Sequence, residues 1–455
     1  MPLAVVAVPT AALAAAFREW SVLVGLLAPL LVGAAGGAVA WLCRGPSGRP
    51  TPGRAQVLGV AWLLATAVAA VPFVAAATLG DAPTPSTAAF GPLNACFEAM
   101  SGLTTSGLSV AGSPEELPMS LLWWRSTLSW LGGLGLLYLA ISIANLDGHP
   151  STGDDDEDAD DELGSGEKGH GGASLRTLLW RTWAAYLLLT AAAAGCYLLA
   201  GMGLWDAANH AQSAVSTGGF STRAASLDAF GVPAQVVTLV FVVLGATSFA
   251  LLRAVLLSGR IGAVFRDAQT RWLVGGVLVG GPVLYAASGL DAWPAFLQWA
   301  MALCTGGFGA VKTERLPDLT LCLLLPALLV GACAGSTGGG LKQGRLRRLF
   351  RWAVGWSTTA DELTETRLQT LKVAAAFCVT FLLGTLCVWL AAGRPGWAEA
   401  AFEAASALGN GGLTAGITQP DAPAAVRVIL LTLMWLGRLE FALLFQLVLA
   451  RVRWP

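Results

Sequence analysis

Long apolar runs separated by short polar breaks dominate this chain. Clear runs are Trp20–Cys43, Leu58–Leu79, Leu121–Leu146, Trp183–Leu204, Val236–Leu257, Trp272–Leu290, Val373–Leu390 and Val428–Leu449. Each approaches the ~20 residues that a helix needs to cross the hydrocarbon core of a bilayer. Leu319–Leu346 is a further run broken at its middle, and Leu3–Phe17 reads as a shortened helix, giving roughly ten spanning candidates by that measure. Met1–Phe17 lacks the basic stretch that opens a signal peptide. Four times, a segment of about twelve residues, too short to span, leads into a glycine-containing stretch. These stretches are "LTTSGLSV" from Leu103, "VSTGGFST" from Val215, "LCTGGFGA" from Leu303 and "LGNGGLTA" from Leu408.

Anchored on Gly107, Gly219, Gly307 and Gly412, the four stretches align well beyond the glycine. Twelve residues upstream stand Ala95, Ala207, Ala295 and Ala400; nine upstream stand Glu98, His210, Gln298 and Glu403. Four upstream are Leu103, Val215, Leu303 and Leu408, and one downstream are Leu108, Phe220, Phe308 and Leu413. Each copy has the grammar of a repeat: outer helix, re-entrant pore helix, loop, inner helix. Irregular backbone at membrane depth is tolerated only where protein buries it or it lines a watery cavity. Four such loops therefore call for a shared axis. The alignment of His210 with two carboxylates and a carboxamide favours a packing or hydrogen-bonding role over a proton relay.

A shared axis of this kind suits a cation. An ion stripped of water needs replacement oxygens, which rings of backbone carbonyls supply, and glycine reaches the positive-φ angles that turn carbonyls inward. The candidate ion-binding residues are Thr104, Thr105, Ser106 and Gly107 in the first copy and Ser216, Thr217, Gly218 and Gly219 in the second. Cys304, Thr305, Gly306 and Gly307 follow in the third, and Gly409, Asn410, Gly411 and Gly412 in the fourth. The hydroxyls of Thr104, Thr105, Ser216, Thr217 and Thr305 are expected to add oxygens at the inner mouth, and pore-helix dipoles to turn negative ends toward the cavity. The competing reading, glycines that merely let helices pack closely, suits a single copy better than four aligned ones. Cys304 and Gly409–Asn410 depart from the hydroxyl pattern.

Composition agrees with a lipid environment: 55% of the 455 residues are hydrophobic and 12% charged, against about 25% charged in a soluble domain. Net charge is −1 and decides nothing, but its distribution orients the chain. Eighteen Lys and Arg fall in one set of alternate loops, including Arg44, Arg260, Lys342, Arg367 and Arg453, and five in the opposite set: Arg223, Lys312, Arg315, Arg394 and Arg427. The positive-inside rule then puts the loop after Cys43 and the C-terminus in the cytoplasm. The eight cysteines contain no CxxC pair and read as small core residues. The acidic run Asp154–Glu162 reads as a solvated insertion in a Gly/Ser-rich loop, with an interaction tail as the alternative.

With these residues in view, the chain resembles the Trk/Ktr superfamily of prokaryotic potassium-uptake membrane subunits. The resemblance rests on "FEAMSGLTTSG" with "WLGGLGLLYLAI", "NHAQSAVSTGGFST", "ALCTGGF" with "GACAGSTGGGLK", and "EAASALGNGGL" with "WLGRLE". It implies an all-α polytopic membrane protein with four pore repeats around a central pore, preceded by two extra helices. On this chain the extra helices take residues 1–54 and the repeats 55–147, 175–260, 261–352 and 353–455, with an acidic cytoplasmic loop at 148–174. It also implies passage of K⁺, sometimes Na⁺, in the plasma membrane, with no covalent cofactor, a homodimer, and a cytosolic nucleotide-binding regulatory subunit.

Two further elements acquire a role through the resemblance. "GACAGSTGGG", Gly331–Gly340, is too rich in glycine to hold a helix. It is similar to an intramembrane loop that obstructs the pore, so Gly335, Ser336, Thr337, Gly338, Gly339 and Gly340 form the candidate gate; a passive kink is the alternative. Arg438 lies roughly 21 Å along the last helix at 1.5 Å per residue, where a charge faces protein or a cavity; the resemblance places it at the gate, with snorkelling to the cytoplasm as the alternative. Glu440 does not share its helix face, and Arg125 is equally consistent with a structural or a functional role. The basic segment "RLRRLFR" from Arg345 is a candidate for coupling to a regulator or for anchoring at the membrane edge.

The function classes narrow accordingly. An intramembrane enzyme needs convergent His, Cys or carboxylates, and the candidates here are scattered. Gly335 and Gly340 have P-loop spacing, but Leu341 stands where the lysine belongs. A channel-like cation-uptake subunit leads, with a K⁺ symporter coupled to H⁺ or Na⁺ as the alternative.

Overall fold

The computed structural model describes residues 2–42, 54–80, 84–144, 175–355 and 363–439. The acidic run Asp154–Glu162, Cys43, Glu440 and the C-terminal Arg451 and Arg453 lie outside these residues. All regular structure among the described residues is helical. The chain opens with a hairpin of Pro2–Ala16 and Trp20–Leu42, which packs against the first outer helix, Arg54–Leu79, and the first inner helix, Met119–Ala144. Glu19, in the hairpin turn, accepts the backbone N–H groups of Met119 and Ser120 at 2.8 and 2.9 Å. Its carboxylate thereby satisfies two of the orphan donors that open the inner helix and sits where the helix dipole favours negative charge.

Four pore helices follow the grammar of the sequence: Pro92–Leu103, Leu204–Val215, Ala292–Leu303 and Trp397–Leu408. Each has 12 residues, about 18 Å of helix, against a hydrocarbon core of ~30 Å. They are too short to span it and are buried over most of their length. Outer helices Leu175–Leu199, Ala268–Ser288 and Leu363–Ala391 complete the second, third and fourth units. Their outward faces carry exposed Leu and Val, such as Leu187, Val279, Leu382 and Leu383, the surface a lipid solvent accepts.

The inner helices are where run and helix part company. The second is two pieces, Val232–Gly245 and Phe249–Ser258, bent by 107°, so the apolar run Val236–Leu257 is not one span. The third stops at Val330 and resumes as Gln343–Ala353; the fourth is Ala424–Arg438 within the described residues. Over the described residues, three helices are long and apolar enough to cross a bilayer, or four if the bent pair counts as one. The runs Trp20–Cys43 and Leu121–Leu146 correspond to the continuous helices Trp20–Leu42 and Met119–Ala144, whereas the runs of the second and third inner helices are divided.

The bend and the break belong together. A helix ending in a membrane leaves carbonyls without partners. The N–H groups of Thr337 and Cys333, on the loop of the third unit, donate to Gly245 O and Ala246 O at the bend of the second, at 3.2 and 2.9 Å. Phe249 N–H, which restarts the bent helix, donates to Gly335 O at 3.0 Å. Each interruption supplies the hydrogen bonds that the other lacks.

Candidate functional site

The four anchor glycines meet in a closed ring. A Cβ added to Gly219 would lie 2.5 Å from Gly307 Cα, one on Gly307 3.5 Å from Gly412 Cα, one on Gly412 3.3 Å from Gly107 Cα, and one on Gly107 3.2 Å from Gly219 Cα. No side chain fits at any corner without displacing a neighbour's backbone. All four also have positive φ, from 70° to 81°. Glycine is thus required twice, by conformation and by proximity.

Backbone geometry repeats just before each glycine. Thr105, Thr217, Thr305 and Asn410 all adopt left-handed φ, between 49° and 54°. Asn tolerates this region; for β-branched Thr it stores strain of about 1–3 kcal/mol, as functional sites do. Offsetting it, each pore helix closes the same way: the N–H groups of Thr105, Thr217, Thr305 and Asn410 donate to Gly102 O, Ala214 O, Ala302 O and Ala407 O. The next N–H in each copy reaches one residue further back, to Ser101 O, Ser213 O, Met301 O and Ser406 O. No protein donor among the described residues reaches the carbonyls of residues 105–107, 217–219, 305–307 or 410–412. Buried carbonyls are seldom left so, and here all of these residues except the partly buried Gly412 are buried.

The hydroxyl expectation divides. Thr104 Oγ1 donates to Met100 O at 2.7 Å and Ser216 Oγ to Gln212 O at 2.8 Å, so both side chains cap their own pore helices. Cys304 and Gly409 occupy the same capping position, which is why the hydroxyl pattern lapses there without disturbing the ring. Ser106, Gly218, Gly306 and Gly411 precede the ring glycines. An added Cβ at Gly306 would meet Val242 at 2.6 Å and at Gly411 would meet Leu328 at 2.3 Å, both on inner helices. Ser106 keeps its side chain because Asn410 Nδ2 donates to it at 2.8 Å, joining the fourth copy to the first.

The polar position nine residues upstream staples the outgoing chain to the pore helix. Val110, Ala310 and Ala415, each three residues past the ring glycine, donate their N–H to Glu98 Oε2, Gln298 Oε1 and Glu403 Oε2 at 2.9–3.0 Å. His210 serves the second copy through Nε2 and Ser221 Oγ at 3.0 Å. These are hydrogen-bonding roles, and the alignment alone located them.

Residues 331–342 lie directly under the ring and touch all four left-handed residues. Thr337 O lies 3.4 Å from Thr105 Oγ1, and Thr337 Oγ1 lies 3.5 Å from Thr217 Oγ1. Gly339 N–H donates to Thr305 Oγ1 at 2.9 Å, and a Cβ on Gly339 would meet Asn410 Cβ at 2.9 Å. Gly335 and Gly340 take positive φ, and Ser336, Thr337, Gly338 and Gly339 are buried. Thr337 Oγ1 lies 3.1 and 2.9 Å from Val215 O and Gly245 O. The glycine content predicts a loosely held loop; dense pairing holds it instead, because it completes the broken helices. Arg438 is 2% exposed and donates to Thr337 O at 2.8 Å and Gly132 O at 3.0 Å. Lys342, counted with the cytoplasmic basic residues by its place in the sequence, is also 2% exposed and donates to Gly338 O.

Arg125 sits above the ring. Its Nε donates to Glu98 Oε1 at 2.7 Å, its Nη2 to Ser109 Oγ at 3.0 Å and its Nη1 to Ser221 O at 3.3 Å, while the guanidinium covers Phe220 at 4.4 Å. It ties the outgoing segments of copies one and two together through a fully buried ion pair. Removing one partner of such a pair costs about 3–5 kcal/mol because the other charge is stranded. Arg125→Met and Glu98→Gln should each lower the melting temperature of the detergent-solubilised protein, and the double variant should recover most of the loss. Single variants that melt like the parent would show that the pair holds nothing.

The family profile described as "TrkH: Cation transport protein" matches residues 65–269 and 264–453. The Trk system potassium uptake protein TrkH of Escherichia coli (strain K12) is 31% identical over 301 residues, 64% of this chain and 60% of that protein. The chain therefore spans less than two thirds of the length of that relative. A cation transporter of Methanocaldococcus jannaschii is 26% identical over 404 residues, 84% of this chain and 79% of that protein. The crystal structure of the potassium transporter TrkH from Vibrio parahaemolyticus matches with a TM-score of 0.78 at 24% identity, covering 99% of this chain and 96% of that one. That likeness speaks for the fold, the sequence match for the lineage: this is a multi-pass membrane protein, and it belongs to the TrkH family of cation transport proteins.

Proposed function

We propose that the chain is the membrane subunit of a potassium-uptake system, conducting K⁺ and to a lesser degree Na⁺ through the ring of four glycine loops. The observation that carries this reading is the set of buried backbone carbonyls without protein donors around the ring. A dehydrated cation is the partner such oxygens suit. The pore-helix C-termini, all ending at the ring, add partial negative charge. Residues 331–340 and Arg438 act as the gate. They lie beneath the ring, and a fixed positive charge in a partly dehydrated pore opposes cation occupancy more strongly than it would in water. The relatives named as potassium uptake proteins support the choice of ion. The loop charge bias supports a plasma-membrane orientation with the C-terminus in the cytoplasm. Assembly as a homodimer with a cytosolic nucleotide-binding regulatory subunit follows the family resemblance.

The ring is tested by ion preference. Gly219→Ser and Gly307→Ser should reduce K⁺ over Na⁺ discrimination in proteoliposomes at least about tenfold, the effect of ~1.4 kcal/mol. Gly195→Ser is the comparison, because a Cβ there meets nothing within 4 Å; Gly132 is unsuitable, its Cβ falling 2.2 Å from Leu103 O. Unchanged preference in both ring variants removes the filter. In the same liposomes, flux reversing at the K⁺ equilibrium potential regardless of proton and sodium gradients identifies a channel rather than a symporter.

The gate is tested by flux at unchanged selectivity. Shortening residues 335–340 should raise K⁺ flux strongly, Arg438→Ala should raise it less, and the combination should barely exceed the shortened loop, since both act on one barrier. Shortening also removes the Thr337 donors to Gly245 O, so flux is normalised to folded protein. Thr337→Ala, which removes the hydroxyl and the γ-methyl but leaves the backbone length unchanged, serves as the milder variant and should raise flux in the same direction. Folded variants that conduct no faster than the parent would place the barrier elsewhere.

A further inference from the structure

A cavity of about 1180 Å³ opens beside the base of the loop, between the third outer helix, the third pore helix and Gln343–Ala353. It exceeds the roughly 300–1,000 Å³ usual for small-molecule pockets. Its two ends differ in chemistry. Arg271, Arg347 and Arg351 line one end, in the first turn of the outer helix and along the basic helix. Val279, Leu303 and Pro326 line the other, deeper in the membrane. Arg271 and Val279 are eight residues apart on one helix, about 12 Å at 1.5 Å per residue. Trp272 and Phe350, packed edge to face at 5.3 Å, stand among the lining residues, as aromatic side chains do at a membrane interface.

We propose that this cavity binds one anionic phospholipid, its phosphate held by Arg271, Arg347 and Arg351 and an acyl chain lying over Gly275 toward Val279. Charge complementarity selects the occupant. Guanidinium groups match phosphate oxygens in a bidentate way, and basic pockets between membrane helices take anionic headgroups. An amphiphile matches both ends of the cavity in one molecule. The basic face of Gln343–Ala353 thereby serves lipid rather than a cytosolic protein. The site borders the proposed gate: Gln343 also lines it and donates from Nε2 to Gly331 O at 2.8 Å. A bound lipid therefore braces the two ends of the loop.

Two kinds of variant separate headgroup from acyl chain. A Cβ at Gly275 meets nothing within 4 Å, and leucine favours helix, so Gly275→Leu fills the acyl end without disturbing the fold. Arg347→Gln with Arg351→Gln removes headgroup charge, about fivefold in affinity for each arginine. Native mass spectrometry of the full chain in mixed micelles, with phosphatidylglycerol against phosphatidylcholine, reads lipid retention. The parent should retain one phosphatidylglycerol per chain and melt higher with phosphatidylglycerol than with phosphatidylcholine. Both variants should lose that retention several-fold and lose the thermal gain. Equal retention of the two lipids by the parent overturns the proposal. So does retention lost in the arginine variant but intact in Gly275→Leu, which marks adsorption to a basic surface. A Gly275→Leu protein that changes from dimer to monomer assigns the face to a second copy, and an arginine variant that keeps its lipid but loses its response to a regulatory subunit assigns it to that protein; either overturns the lipid site. Ion flux enters none of these readings, so failure here is distinct from failure of the transport proposal.

Discussion

Every backbone polar group placed inside a bilayer must find its partner within the protein, and the architecture follows from how this chain meets that demand. Its outer helices meet it alone. Its pore helices are too short to span, and their last carbonyls take up the N–H groups of the residues that follow. The outgoing strands have no ladder, so a buried Glu, Gln or His on each pore helix supplies an acceptor. The bent second inner helix and the broken third one satisfy each other. What remains after this accounting is the ring of carbonyls around the axis. The exception defines the site.

Much of this was legible in the sequence, because four imperfect copies expose which positions a shared geometry constrains. Alignment located the ring glycines, the short pore helices and the polar position at Glu98, His210, Gln298 and Glu403. It did not reveal the left-handed Thr105, Thr217 and Thr305, since threonine carries no local signal for that conformation; only their alignment with Asn410, a residue at home there, offered a hint. The bend at residues 246–248 was hidden because Gly245, Thr247 and Ser248 interrupt an apolar run too briefly to break its hydropathy. Lys342 was misplaced for the opposite reason. A lysine beside a basic helix reads as solvated, yet it turns back to Gly338 O. Hydropathy reports the average solvent of a segment and says nothing about the partner of one atom.

Fourfold geometry is built from chemically unequal copies, and the inequality falls where copies meet. The first copy lacks the glycine that precedes the ring elsewhere, and its Ser106 receives Asn410 from the fourth. Arg125 joins copies one and two, and copies four and one are joined from a different helix position, by Arg427 donating to Asn94 Oδ1. The apolar core divides similarly: one cluster centres on units two and three, another on the N-terminal hairpin with units one and four. A ring of identical chains would repeat one contact four times. A single chain can hold the ring symmetric with a different contact at each seam, which leaves each seam free to acquire its own chemistry.

The loop beneath the ring shows where that freedom was used. It is as rich in glycine as the ring, yet four of the six carbonyls of residues 335–340 are occupied. Gly335 O takes Phe249 N–H, Gly339 O takes Ala332 N–H, and Thr337 O and Gly338 O receive Arg438 and Lys342. Two cationic side chains on successive carbonyls leave little negative potential for a cation there. Ring and loop are thus glycine-rich segments with different electrostatics, one with its oxygens free and one with most of them occupied. Freeing Thr337 O and Gly338 O would require displacing buried cations and, with them, the hydrogen bonds that close the bend at Gly245. Any motion of the loop is therefore coupled to the second, third and fourth inner helices together, which makes it a collective step rather than the flicker of a glycine-rich segment.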